Sequence, residues 1–175
     1  MTSKSAEVGR GAIVAMIKWT DSEKVIRIIN KIPMRWRNKV KEITLDMAGS
    51  MNKIAKLCFH KATKVIDRFH VQKLAFDALQ EMRINHRWQA IDEENDAIQE
   101  ARLGGVKYVA KRYENGDTAK QLLARSRYLL FKSPNNWSVS QNQRAEILFR
   151  EYPDLKQAFS LTHNLRMIYS KTQDK

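Results

Sequence analysis

Three short apolar runs, each followed by a stretch with helical periodicity, constrain the fold of this chain more than any other feature. The runs lie at residues 11–17, 43–47 and 62–67 and have the length of strands. The first resembles a buried strand, the second alternates apolar and polar residues as suits a strand that ends at a sheet edge, and the third ends in a carboxylate. Because alternating strands and helices build a sheet whose strands are mainly parallel, we predict an α/β region over residues 8–75. In such sheets, functional residues gather at the carboxyl ends of the strands.

The helices between these runs have recognisable start and stop signals. Thr20 and Glu23 have the spacing of a capping box, and the apolar positions that follow end at Pro33, which cannot continue a helix. Ser50 is the predicted N-cap of a second, short helix. Cys58 lies on the apolar face of that helix, which favours a core position over a nucleophilic role.

Beyond residue 75 the pattern is helical only. A long helix is predicted to open near Val71 and to end at Gly104 and Gly105, with the acidic stretch 92–96 as either a break or an exposed face. Three further helices are predicted at residues 118–131, 140–151 and 154–169. The sequence thus predicts two domains, an α/β region at 8–75 and an all-helical region at 76–175.

Charge is the compositional outlier. The 32 Lys and Arg residues outnumber the 19 Asp and Glu residues and give a net charge of +13, which attracts polyanions. Residues 1–75 hold 16 of these cations and 6 of the acids, an excess of +10, while the remaining residues hold 16 cations and 13 acids, an excess of +3. The polyanion signal therefore comes from the first part of the chain.

The densest basic segment, residues 31–41, has five cations in eleven residues around Trp36. Two interpretations are open. In the first, Arg35, Arg37 and Lys39 neutralise phosphates while Trp36 packs on a sugar or base of a nucleic acid. In the second, the segment is a solvated loop between a helix and a strand, and Trp36 is anchored in the core.

Several protein classes are excluded. A single cysteine cannot form a disulfide framework or a cysteine-based zinc module. No apolar run approaches the roughly 18 residues of a membrane span, and the polar start does not resemble a secretory signal. Glycine-rich nucleotide-binding loops, the serine-hydrolase elbow and the His-Glu-x-x-His motif are missing. We therefore expect a cytoplasmic protein that belongs to none of the enzyme classes marked by these motifs.

Two aspartates stand at the ends of predicted strands. Asp46 follows the run at 43–45, and Asp67 follows the run at 62–66 in the same way, so neighbouring strands would bring both carboxylates to one rim. Such a pair suits divalent cations. The alternative is that each aspartate caps the turn or helix after it. His70 lies three residues after Asp67, where it suits a phosphate, a metal, or a hydrogen bond that holds the junction together.

The motifs Asp46-Met47 and Asp67-Arg68-Phe69-His70, within the segments 44–51 and 59–73, closely resemble the DDE-type transposases of bacterial insertion sequences, specifically the ISL-type family. The resemblance continues through residues 122–132 and 152–159. It implies a partial ribonuclease-H-like core, a mixed sheet with flanking helices, followed by an all-helical insertion. In this family three acidic residues bind two Mg²⁺ ions, which support cleavage and transfer of DNA strands at the transposon ends.

On that pattern, Asp46 matches the second catalytic aspartate and is the expected metal ligand. Asp67 and His70 match an accessory acid-x-x-His element that supports the site or contacts DNA. The expected DNA contacts are Arg35, Trp36, Arg37, Lys39 and Arg68.

The chain also departs from the family pattern. No position before Gly11 matches the first catalytic aspartate, and no final Glu-x-x-Asn helix occurs before Lys175. We therefore expect an internal piece of a transposase that is inactive alone, because most of the carboxylate charge of a two-metal site is missing. Its expected partners are DNA ends and an oligomer with intact transposase, in the bacterial cytoplasm at the nucleoid. The alternatives are a non-catalytic DNA-binding or regulatory module and a remnant that does not fold.

Overall fold

The computed structural model describes residues 16–18 and 20–171, and it shows a mixed α/β fold that is mostly helical. The chain divides after Asp67 into two compact units, the sheet unit, Met1–Asp67, and the helical unit, Arg68–Lys175. The predicted division at residue 75 falls inside the first helix of the helical unit. The assignment of 8–75 to catalysis and of 76–175 to an insertion stays a prediction.

The sheet unit alternates helices and strands. Its described elements are helices α1 (Ser22–Ile29) and α2 (Met34–Arg37), strand β1 (Glu42–Leu45), helix α3 (Gly49–Cys58) and strand β2 (Thr63–Ile66). The two strands predicted within 43–47 and 62–67 are therefore confirmed. Of the run at 11–17, residues 11–15 lie outside the described residues, and the two that follow have no regular secondary structure.

Strands β1 and β2 pair in parallel, as the alternation with helices predicts. Glu42 lies opposite Thr63, and the register continues to Leu45 opposite Ile66. Within the part of the chain that the structure describes, the sheet has these two strands. All four β2 residues are exposed, although strands of parallel sheets are usually covered on both faces.

Helices α1 and α3 form the small core of the sheet unit. Ile26, Ile54 and Cys58 are buried there, and Phe59 packs against them. The predicted capping box is wrong in its first residue. The N-cap of α1 is Asp21, whose carboxylate accepts a hydrogen bond from the Lys24 N–H at 2.9 Å. This backbone bond lowers the pKa of Asp21, and a carboxylate in the N-cap position competes well with a threonine hydroxyl.

The start of α3 also differs from the prediction. Ala48, and not Ser50, is the N-cap. The Asp46 carboxylate accepts a hydrogen bond from the Ala48 N–H at 3.0 Å. The chain therefore turns directly after β1, and the helix begins one residue before Ser50.

The helical unit is built on α4 (Arg68–Leu103), a helix of 36 residues whose length is about 54 Å. The helix predicted from Val71 is confirmed, and it continues through the acidic stretch 92–96, so that stretch is not a break. The helix ends before Gly104, and Gly105 has a φ of 66°. That left-handed conformation is common after the last turn of a helix and favours glycine.

Three shorter described helices follow, α5 (Ala119–Arg125), α6 (Val139–Glu151) and α7 (Pro153–Lys171). Helices α5 and α7 pack against α4, and α6 packs against α7 and α5. The predicted helix at 118–131 is shorter in the structure, because its second half is a 3₁₀ turn, Leu129–Phe131. The other two predicted helices are confirmed. Buried side chains from all four helices and from the 3₁₀ turn form one core, which contains Leu79, Ala90, Leu122, Leu123, Leu129, Leu130, Ala145, Ile147, Leu148, Leu155 and Phe159. None of the described helices is both long and apolar enough to cross a membrane.

Candidate functional site

The carboxyl ends of β1 and β2 place two aspartates at corresponding positions. Leu45 and Ile66 are partners in the parallel register, and Asp46 and Asp67 are the residues that follow them. The Asp67 N–H donates a hydrogen bond to the Leu45 carbonyl at 2.8 Å, which continues the ladder to the edge. Since adjacent strands lie about 4.8 Å apart, the two aspartates begin from neighbouring backbone positions at one edge of the sheet.

Asp46 is half-buried and already has one role. Its Oδ1 accepts the Ala48 N–H and so stabilises the turn between β1 and α3. Asp46 also lines a cavity of about 380 Å³ whose other lining residues are mostly apolar, including Ile29, Ile43, Met51 and Ile54. The Asp46 carboxylate therefore caps the turn, as expected for an aspartate at the end of a strand.

The described residues do not form a complete metal site. Across residues 16–18 and 20–171, no group of three or more His, Cys, Asp or Glu side chains could hold a metal ion. Asp46 and Asp67 supply two carboxylates at the sheet edge, whereas two divalent cations need a larger set of oxygen ligands. These donors do not fit a two-metal centre.

His70 is the third residue of α4 and belongs to the helical unit. Its side chain is exposed, and that of Asp67 is half-buried. Asp67 ends the sheet unit, so the Asp-x-x-His motif spans the point at which the chain divides. The accessory role of this motif stays a prediction.

The basic segment before β1 includes α2, which presents an aromatic ring between cations. Trp36 is 52% exposed, so the interpretation that anchors it in the core is wrong. Lys39 Nζ lies 4.1 Å from the centroid of the indole ring, and the Arg35 guanidinium carbon lies 5.9 Å from it. An exposed ring flanked by two cations has the chemistry that contacts nucleic-acid bases and phosphates.

Arg37 differs from its neighbours in α2 because it is buried. Its Nε donates to the Ile32 carbonyl at 3.0 Å, and its Nη1 donates to the Cys58 carbonyl at 2.6 Å. These bonds join the turn after α1 to the end of α3, and the second satisfies the carbonyl of the last residue of α3, which has no intrahelical partner. Arg37 therefore holds α2 in place, and Arg35, Trp36 and Lys39 form the exposed part of the cluster.

Arg68, the first residue of α4, lines a groove of about 510 Å³ in the helical unit. Its Nη1 donates to the Tyr169 carbonyl at 3.2 Å, and its guanidinium carbon lies 5.3 Å from the Phe69 ring centroid. Phe69 is 70% exposed. Phe69 is an exposed aromatic residue that is not among the predicted DNA contacts, although it lies between Arg68 and His70.

Cys58 is buried, as its position on an apolar helix face predicts. Burial raises the pKa of its thiol, and the nearby Arg37 charge opposes that effect only in part. The thiolate needed for nucleophilic attack is therefore disfavoured.

Taken together, the described residues form two parallel strands, with an aspartate directly after each, and an Asp-x-x-His motif that leads into a long helix. A family model for ISL3-type DDE transposases, described as Transposase, matches residues 2–175. This chain belongs to the ISL3-type DDE transposase family. The predicted resemblance is thereby confirmed over nearly the whole chain. No curated protein and no solved structure matches the chain.

Membership of this transposase family supports a role in DNA transposition and implies DNA binding. The family also implies a divalent metal, usually Mg²⁺, for which the described residues do not supply a complete set of ligands.

Proposed function

We propose that this chain is part of a DDE transposase. Its sheet unit would form part of a ribonuclease-H-like core, and the helices that follow would form an all-helical insertion. The observation that carries the proposal is the register of β1 and β2, which puts Asp46 and Asp67 at the same end of two adjacent parallel strands. Asp46 would be a catalytic carboxylate and metal ligand, and Asp67 with His70 an accessory pair. In open α/β sheets, this end of the strands is where substrates bind.

We further propose that the chain alone does not cleave DNA. Strand cleavage with two metal ions requires ligands that hold both cations next to the scissile phosphate. The described residues contribute two strand-end carboxylates and no three-donor group. Since one or two carboxylates bind divalent cations weakly, the cleavage rate should fall below detection.

A nicking assay with a labelled insertion-sequence-end duplex and Mg²⁺ tests this proposal. We expect no product from the wild-type chain. Cleavage that depends on Mg²⁺ and disappears in Asp46→Asn would contradict the proposed inactivity, although it would support the catalytic role of Asp46. Asp77→Asn is the matched control, because Asp77 is an exposed carboxylate of α4 paired with Lys73.

A second candidate function is a non-catalytic DNA-binding or regulatory module, which would compete for transposon ends or form mixed oligomers with intact transposase. The exposed Trp36 flanked by Arg35 and Lys39 favours DNA contact independently of the aspartates. Binding of this kind depends strongly on salt, because cations of the protein release counterions from the DNA. A salt-sensitive affinity that does not respond to Mg²⁺ would favour this function over catalysis.

A further inference from the structure

Helix α4 has a second apolar face beside the one that packs in the core. Its core face contains Leu79, Arg83 and Ala90, all of them buried. A separate stripe, roughly 100° further round the helix, contains Ile84, Trp88, Ile91 and Ile98.

Three residues of this stripe are exposed and lie on one side of the helix. Ile84, Trp88 and Ile98 are 42%, 58% and 41% exposed, so much of their apolar surface remains in water. Contiguous exposed apolar surface of this kind marks an interaction site more often than chance. The spacing of four, three and seven residues follows the 3.5-residue repeat of a seam between two helices.

The charges along α4 are separated into two halves. Residues 68–91 contain four cations, Arg68, Lys73, Arg83 and Arg87, and two acids, Asp77 and Glu81, a net charge of +2. Residues 92–103 contain five acids, Asp92, Glu93, Glu94, Asp96 and Glu100, and one cation, Arg102, a net charge of −4. A helix with this pattern repels a parallel copy of itself at its acidic half and attracts an antiparallel one.

We propose that the stripe formed by Ile84, Trp88, Ile91 and Ile98 is an interface between two copies of this chain, with their α4 helices antiparallel. A two-fold axis at Ile91 places Ile84 of one copy opposite Ile98 of the other, so the contact is self-complementary. The same axis brings the basic half of each helix toward the acidic half of its partner. The contact covers residues 80–102, a length of about 33 Å.

The oligomeric state of the full chain, measured by sedimentation velocity over a range of concentrations, tests the interface. We expect a dimer for the wild-type chain and a monomer for Trp88→Glu. Leu161→Glu is the matched control, because Leu161 is an apolar residue of α7 that is 65% exposed, and this variant should remain dimeric. Circular dichroism verifies that each variant is folded. A wild-type chain that is monomeric throughout, or a folded Trp88→Glu that still dimerises, would overturn the proposal.

Disulfide trapping under a mild oxidant tests the antiparallel orientation. Ile91→Cys should cross-link to itself across the two-fold axis, and a mixture of Ile84→Cys and Ile98→Cys chains should give the mixed dimer. Ile84→Cys alone should not cross-link, because its partner position is residue 98. The wild-type chain controls for background, since its Cys58 is buried. Efficient cross-linking of Ile84→Cys alone indicates parallel helices and would refute the proposed arrangement.

Discussion

At the scale of individual residues, buried polar side chains stabilise the interior of each unit. In the helical unit, the Asp117 carboxylate is fully buried. It contacts the Arg125 guanidinium and accepts hydrogen bonds from Arg144 Nε at 3.1 Å and from the Asn115 side-chain amide at 3.0 Å. Arg83 is buried as well and donates from its Nη1 to the Leu123 carbonyl at 2.9 Å. These contacts join α4, the start of α5 and α6.

Asp117→Ala should lower the free energy of unfolding of the helical unit by about 2 kcal/mol, because it leaves the largely buried Arg144 guanidinium and the Asn115 amide without their acceptor, while water solvates the more exposed Arg125. Urea denaturation followed by circular dichroism measures the loss. Asp77→Ala is the control, since its pair with Lys73 is exposed and such pairs contribute about 0–1 kcal/mol. Equal effects of the two substitutions would show that the buried cluster is not stabilising.

The Cys58 thiol should react slowly with an alkylating reagent in the folded chain. Burial raises its pKa, so the thiolate fraction stays low as the pH passes the usual cysteine value of about 8.5. The unfolded chain ionises at that lower pH, and the sheet unit should therefore lose stability as the pH rises above it. Mass spectrometry of the alkylated chain between pH 7 and 10, with and without denaturant, follows the reaction. Rapid native labelling at pH 7 would contradict the buried position.

At the scale of helices and strands, local patterns predicted most of the fold. The β-branched runs at 43–47 and 62–67 gave β1 and β2, and the periodicity after Val71 gave α4. The caps of α1 and α3 differ from the prediction, because the Asp21 and Asp46 carboxylates accept backbone N–H groups in place of the residues with the expected spacing. The acidic stretch 92–96 did not break α4, since charged residues on an exposed helix face cost little.

The buried polar contacts were not predicted, because they join residues that are far apart in the sequence. Asp117 binds Arg144 across 27 positions, and Arg37 binds the Cys58 carbonyl across 21. A local pattern carries no information about such pairs. The strand-end aspartates could be predicted, because their position depends only on where a strand stops.

The end of α4 offers a test at the same scale. Gly105 has a φ of 66°, and no atom lies within 4 Å of the position that an alanine methyl group would take there. Its replacement by alanine therefore adds backbone strain without a steric clash, and Gly105→Ala should lower the free energy of unfolding by about 1 kcal/mol. Gly49→Ala is the control, because Gly49 opens α3 with the same open space and alanine favours helices. Thermal denaturation compares the two, and an equal loss of stability would argue against the left-handed turn.

At the scale of the whole molecule, the two units differ in charge and in predicted task. The sheet unit, residues 1–67, holds 14 Lys and Arg and 6 Asp and Glu, an excess of +8 that includes the segment around Trp36, whereas the longer helical unit holds 18 and 13, an excess of +5. Membership of the ISL3-type transposase family implies DNA binding, and the basic segment around Trp36 is the proposed contact. The antiparallel α4 interface would give the helical unit a separate role in bringing two copies together.

Whether DNA lies against α2 is tested most directly by the affinity for an insertion-sequence-end duplex as a function of salt, measured by fluorescence anisotropy. The double variant Arg35→Ala/Lys39→Ala should bind more weakly, and its slope of log affinity against log salt should shrink in magnitude by about two. Lys107→Ala/Lys111→Ala, which removes two exposed cations of the helical unit, should leave the slope unchanged. Equal losses in the two double variants would contradict a DNA surface centred on Trp36.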